Sequence, residues 1–203
     1  MNIVLIGATG NVGSRVAAEA IARGHKVTGI ARNPEKAAVK AGLVMKRGDV
    51  GDPDALAALL RGHDAVVSSV RFLGTDPHAV ISAAKKSGVK RLLVVGGAGS
   101  LEVAPGVALI DTPQFPAAYR PEASAGREFL NVLRAETELD WTFLSPSALL
   151  SPGERTGKFR LGGDQLLVGA DGQSRVSIED YAVALVDEVE TPRHSRRRFT
   201  VGT

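Results

Sequence analysis

The chain contains no cysteine. That excludes disulfides, thiolate catalysis and cysteine-ligated metal, and it fits a reducing, cytoplasmic setting. No run approaches the ~18 apolar residues of a membrane-spanning helix. Met1-Asn2 leads straight into an apolar stretch, which leaves no room for a signal peptide and again predicts a cytoplasmic protein. The net charge is only +3 over 203 residues. Such a small excess suits anionic small ligands and excludes an electrostatic grip on nucleic acid. The one basic run, Arg193-His194-Ser195-Arg196-Arg197-Arg198, has no interleaved aromatics. It is expected to form a solvated turn before a last strand, Arg198-Phe199-Thr200-Val201. The four histidines are scattered, so no metal site is expected. The single tryptophan, Trp141, lies in an apolar stretch and reads as core.

What is abundant is glycine, and its placement organises the chain. Ile3-Val4-Leu5-Ile6 reads as a buried strand. Gly7-Ala8-Thr9-Gly10-Asn11-Val12-Gly13 follows, and then apolar residues at helical spacing, Val12, Val16 and Ala20. A strand therefore enters a tight turn that opens a helix. Unpaired N–H groups and the positive end of the helix dipole make such a turn a pyrophosphate cradle. Gly7 allows the turn, Gly10 lets backbone touch phosphate, and Gly13 lets the helix lie close on the strand. The spacing is G-x-x-G-x-x-G, a variant of the dinucleotide fingerprint G-x-G-x-x-G.

Three helix-to-strand junctions carry a glycine just past a helical pattern, at Gly24, Gly62 and Gly88. Apolar strands follow at Val27–Ile30, Ala65–Val70 and Leu92–Val95, with further strands at Leu43–Met45 and Trp141–Leu144. Helices are predicted over Asp54–Arg61, capped by Asp52 and Pro53, and over Pro77–Ser87, Ala123–Glu138 and Ile178–Val189. Repeated strand–helix units predict right-handed crossovers and a parallel sheet. The fold class is therefore α/β, one domain with a doubly wound parallel, Rossmann-like sheet. Residues 1–146 are its core, and 147–203 add a small cap, the final helix and the last strand. Gly97–Pro121 has no period and four prolines, and is expected to be a lid. Leu166–Val168 and Ala170–Gly172 suggest a hairpin.

Ligand-contacting residues are expected at the carboxyl ends of the strands. The second strand ends in Ala31-Arg32-Asn33 where an NAD enzyme usually has an acid. The guanidinium of Arg32 matches the extra phosphate of NADP, with Lys36 one turn further. This favours NADP(H), with NAD(H) as the alternative. Asp49 is a partner for the adenine amine with Val50 against the ring, or equally the anchor of a local turn. Ser68, Ser69 and Val70 should lie beside the ribose and its linker. Gly96, Gly97 and Ala98 would let nicotinamide approach the backbone, and Ser100 would touch substrate.

These motifs, together with Asp140-Trp141-Thr142-Phe143-Leu144-Ser145-Pro146, resemble the NAD(P)H-binding, NmrA-like atypical short-chain dehydrogenase/reductases. Within them the chain is most similar to the NADH-flavin reductases. The resemblance covers nearly the whole chain. It implies cofactor contacts that include Ser145 and Pro146, and NAD(P)H-dependent reduction of a small-molecule acceptor such as a flavin or quinone. The family also includes non-catalytic redox sensors and epimerase- or dehydratase-like proteins. No nucleic acid or membrane partner is implied, and monomer and homodimer stay open. One departure stands out. The catalytic short-chain enzymes carry Tyr-x-x-x-Lys, whereas Tyr119 is followed by Arg120, Pro121, Glu122 and Ala123. Ionising an unassisted tyrosine at neutral pH means overcoming about three pKa units, ~4 kcal/mol. Tyr119 is then a hydrogen-bond donor or lid packing rather than a base. Hydride transfer to a conjugated ring needs no strong base, because the ring stabilises the charge.

Overall fold

The computed structural model describes residues 1–36 and 41–203, the side chain of Lys36 excepted. In chain order the elements are β1 (Asn2–Ile6), α1 (Asn11–Ala22), β2 (Lys26–Ala31), β3 (Leu43–Arg47), α2 (Pro53–Leu60), β4 (Ala65–Ser68), α3 (Pro77–Ser87) and β5 (Arg91–Val95). Then come β6 (Glu102–Ala104), β7 (Val107–Ala108), α4 (Arg120–Ala135), β8 (Asp140–Pro146), β9 (Leu149–Ser151), β10 (Arg160–Gly162), β11 (Arg175–Ser177), α5 (Ile178–Glu190) and β12 (Arg197–Gly202).

The main sheet runs β10-β12-β8-β5-β4-β1-β2-β3. All its neighbours are parallel except β10, which is antiparallel to β12. The order reverses between β1 and β4, and a ligand crevice forms where it does so. Both faces are covered because the strands are apolar on successive residues. In β1, Ile3 and Leu5 face the core under α1 and α5, while Val4 and Ile6 face the core under α2, α3 and α4.

Local chemistry sets the helix ends. Asp52, Asp76 and Ser177 cap α2, α3 and α5 by accepting backbone N–H bonds, and proline follows in the first two. Gly88 ends α3 in the left-handed conformation at φ 82°, as its position predicts.

Several expectations are corrected. Helix α4 starts at Arg120, not Ala123, because Pro121 is tolerated in a first turn. It ends at Ala135, where Glu136 turns back to accept N–H bonds from Glu138 and Leu139. The hairpin at 166–172 does not form. Its turn is present, with Gly169 N–H donating to Gln173 O at 2.7 Å, but Leu166 N–H pairs with Glu102 O at 2.8 Å instead. The following strand, β11, pairs parallel with β9. The lid segment holds the short antiparallel pair β6–β7. Arg198 is buried in β12 rather than solvated.

Helix α5 is enclosed on nearly every side, with only Asp187 and Glu190 exposed. It packs on α1, and residues 153–158 strap it from outside. Glu179 accepts Gly153 N–H, and Asp180 accepts the N–H groups of Thr156 and Gly157, all at 2.8 Å. Arg155 then closes on Glu19 of α1 through two bonds of 2.7 and 2.8 Å. That bond chiefly holds the Glu19 carboxyl below its ordinary value of 4.5, with Arg23 helping against burial. A carboxyl depressed on folding stabilises the fold above its unfolded value and stops doing so as pH falls through the folded one. Arg155→Ala is therefore expected to lower stability above pH 4.5. The gap to the wild type should close as the medium is acidified further. Urea unfolding across pH measures this, and a gap independent of pH would exclude Glu19 as the partner responsible.

Candidate functional site

The turn after β1 is fixed by backbone crowding. Gly7 has φ 82°, and a Cβ there would stand 2.3 Å from the carbonyl oxygen of Ser69. A Cβ on Gly13 would stand 2.3 Å from the carbonyl oxygen of Gly7. Helix α1 therefore rests directly on the turn, as the spacing of the glycines predicts. Gly10 is its N-cap and offers no side-chain cap, so the first-turn N–H groups face out without one.

In front of them lies a cavity of about 390 Å³ along the carboxyl ends of β1 to β4. Gly7, Thr9, Gly10, Arg32, Asp49, Val50, Ser69 and Val70 line it together. Arg32 is exposed and has no ion-pair partner among the described residues. Asp49 lines the cavity while its Oδ1 accepts Gly51 N–H at 2.9 Å, so the local turn is real.

Other expected contacts are placed elsewhere. Ala8 is buried in the α1 side of the core, and Val12 packs against it. Asn11 is exposed and its Oδ1 accepts from Arg15 Nη1 at 2.9 Å. Asn33 is exposed in the bend after Arg32. The Lys36 side chain lies outside the described residues. Ser68 is enclosed, 1% exposed, in register with Ile6 and Val94, and its hydroxyl has no partner among the described residues. Strand alternation points it into the core, and Ser69 is the serine that reaches the groove.

A second cavity, about 620 Å³, opens beyond the end of β5. Gly96, Gly97, Ala98 and Ser100 form its floor, and Phe72, Phe115, Tyr119 and Leu149 stand around it. The two glycines differ. A Cβ on Gly96 would strike the Phe143 ring at 2.4 Å, so that glycine serves the β5–β8 contact. A Cβ on Gly97 would meet only Phe72, at 3.8 Å, so there the backbone lies bare. Tyr119 is two-thirds exposed on the rim.

Two expected residues support this floor from below. Ser145 is fully enclosed and Pro146 is buried, so neither faces a cavity. Arg198 donates to Ser100 Oγ and Ser145 Oγ at 3.4 Å, to Ser100 O at 3.3 Å, and through Nε to Asp164 at 2.7 Å. Burial pulls its pKa below the ordinary guanidinium value, against the pull of Asp164. The sequence reading missed this role because Arg198 stands in a basic run. The signal was its alternation with Phe199 and Val201, which put Arg198 and Thr200 on one face of a strand. Arg71, its side chain 79% exposed on the rim of the first cavity, was also missed.

The missing lysine has a structural counterpart. Ala123 stands where Tyr-x-x-x-Lys would place it, and a Cβ on Gly99 would come within 2.8 Å of the Ala123 Cβ. Helix α4 thus lies close on the floor loop at Gly99, and the Ala123 methyl lines the cavity where a lysine would otherwise stand. Glu122 is occupied too, since its carboxylate accepts the N–H groups of Phe72 and Leu73 at 2.7 and 3.1 Å. Among the described residues lining this cavity, none is free to act as a strong base.

Residues 7–189 match the family described as NAD(P)H-binding. The chain belongs to the NAD(P)H-binding family. Solved structures of similar proteins align over essentially the whole length. One is a Burkholderia pseudomallei protein provisionally described as exported, 46% identical, TM-score 0.92, covering 100% of both chains. A second is a provisionally named epimerase from Bacteroides thetaiotaomicron, 44% identical, TM-score 0.94, covering 99% of this chain and 96% of that one. A third is a provisionally named NADH-flavin reductase from Streptococcus pneumoniae, 32% identical, TM-score 0.86, covering 100% and 99%. These similar structures agree on architecture, while their names differ on chemistry. Among the described residues no helix is long and apolar enough to cross a membrane.

Proposed function

We propose that this protein is an NAD(P)H-dependent reductase of a flat conjugated acceptor such as a flavin or quinone. The observation that carries the reading is the second cavity: a bare Gly97 backbone for a floor, aromatic walls, and no free base. The first cavity suits the dinucleotide, because α1 presents first-turn N–H groups with no side-chain cap over a turn that a Cβ at Gly7 or Gly13 would block. When bound, NAD(P)H supplies a hydride, and the acceptor takes it with one proton from water while the dinucleotide leaves oxidised. The chain's part is to hold and orient. The α1 amides grip diphosphate, Gly97 admits the reacting ring, and Phe72 and Phe115 hold the acceptor flat while the open Tyr119 rim leaves water access to deliver the proton.

Arg32 gives the preference for NADP(H), with Arg71 on the same rim. A charge-assisted hydrogen bond contributes ~1.5–3 kcal/mol, about ten- to a hundredfold in affinity. Arg32→Ala is expected to weaken NADPH binding by that factor and to leave NADH binding alone. Titration calorimetry with both dinucleotides tests it, and equal losses for the two would remove Arg32 from phosphate recognition. The reductase reading itself is tested by NADPH oxidation across flavins and quinones. Tight dinucleotide binding with no turnover by any of them overturns it.

A further inference from the structure

Every ionised side chain at the second cavity is already engaged. Arg127, on its lining, gives Nη1 to both oxygens of Asp111 at 2.9 Å. Glu122, also on the lining, is pinned by two backbone N–H groups, with Arg71 3.6 Å away as its counter-ion. Arg120 stands behind the Phe115 ring and donates to the carbonyls of Ile110 and Thr112 at 2.8 and 3.1 Å. Below the floor, Arg198 is held by Asp164 and Ser100. The walls between these groups are uncharged, apolar at Phe72, Phe115 and Leu149 and polar at Gln114, Gln173 and Ser174.

We propose that the acceptor taken by this cavity is an uncharged planar ring, and that the same ring carrying a phosphate or sulfonate is rejected. The inference rests on the reductase reading and narrows its substrate class. An anionic group entering the cavity finds no uncompensated cation. The charge of Arg127 is already balanced by Asp111, whose carboxylate stands beside any anion that approaches the guanidinium as a like charge. Glu122 adds a second carboxylate on the same border. A neutral ring meets neither cost and keeps the contact with bare backbone and aromatic walls.

Two pairs of acceptors that differ only in charge decide the matter. They are riboflavin with its phosphate ester FMN, and naphthoquinone with its sulfonate. Binding is read at low ionic strength on protein saturated with NADP⁺, by flavin fluorescence quenching or by thermal shift. Turnover is read as NADPH oxidation. The neutral member of each pair is expected to bind about tenfold tighter or more and to show the higher kcat/KM. Asp111→Asn frees Arg127 and is expected to narrow the gap between FMN and riboflavin at least about threefold. Charged members that bind as well as neutral ones overturn the inference and leave the reductase reading standing. A gap unmoved by Asp111→Asn also counts against the inference. If none of the four compounds binds while NADPH does, the reductase reading fails and takes the inference with it.

Discussion

Gly13→Ala is expected to lower the melting temperature by roughly 6–12 °C and to weaken dinucleotide binding by about a hundredfold. The new methyl would stand 2.3 Å from the Gly7 carbonyl oxygen and 3.3 Å from the Ala8 Cα. Both are backbone atoms at the end of a central strand, so neither swings aside as a flexible side chain would. Relief comes only from lifting α1 off the turn. Overpacking of this kind costs ~1–3 kcal/mol, and a clash with backbone lies at the upper end. The same displacement moves the first-turn amides away from the diphosphate, which removes one or two charge-assisted hydrogen bonds. Gly24→Ala is the control. Gly24 has φ 83° but nothing within 4 Å of a would-be Cβ. It should cost only the ~1–2 kcal/mol of a left-handed alanine and leave binding unaltered. Calorimetric unfolding and dinucleotide titration on the two variants separate these effects. Wild-type affinity in a folded Gly13→Ala protein would mean that α1 does not hold the diphosphate.

The glycine turn after β1 was legible because its demands fall on the backbone, and backbone demands appear in sequence as glycine at fixed spacing. Gly7 and Gly13 could be assigned their roles before any coordinates. The sheet covered on both faces was legible in a different way, since runs such as Leu92–Val95 are apolar on successive residues only when helices lie on either side. What was not legible depends on partners far along the chain. Glu122 is spoken for by amides some fifty residues earlier, and Arg198 by Asp164 and Ser100. No local pattern marks either. Ser68 and Ser69 are adjacent and chemically identical, and only the pleat separates a core residue from a groove residue. The hairpin at 166–172 failed because its turn signal was real but the flanking residues found other strands, Leu166 at β6 and Arg175–Ser177 at β9.

Glu188→Ala should be the most damaging single change outside the turn, and it should spare the ligand. Glu188 is 3% exposed at the end of α5. Its carboxylate accepts from Arg91 Nη2 at 2.8 Å, from His194 Nδ1 at 2.8 Å, and from the backbone N–H groups of Arg193 and His194. The His194 ring is stacked on Phe199 with centroids 4.0 Å apart, so this one side chain ties β5, α5 and the entry to β12 together. Among the described residues, removing it leaves the Arg91 guanidinium buried with only Asp140, Thr142 and the Glu188 carbonyl, and Arg91 Nε has no partner even in the intact protein. Breaking one side of a buried ion pair costs ~3–5 kcal/mol, a fall in melting temperature of about 10 °C or more in a chain of this size. Glu188→Gln, which still accepts the backbone bonds but lacks the charge, should fall between. Arg91 and Asp140 begin β5 and β8, whereas the cavity proposed for the dinucleotide lies at the carboxyl ends of the strands. Below its melting temperature the alanine variant is therefore expected to bind NADPH within about twofold of the wild type, an energy difference under ~0.5 kcal/mol. Loss of binding comparable to that of Gly13→Ala would show that the two ends of the sheet are not independent, and that stability and ligand grip share one network.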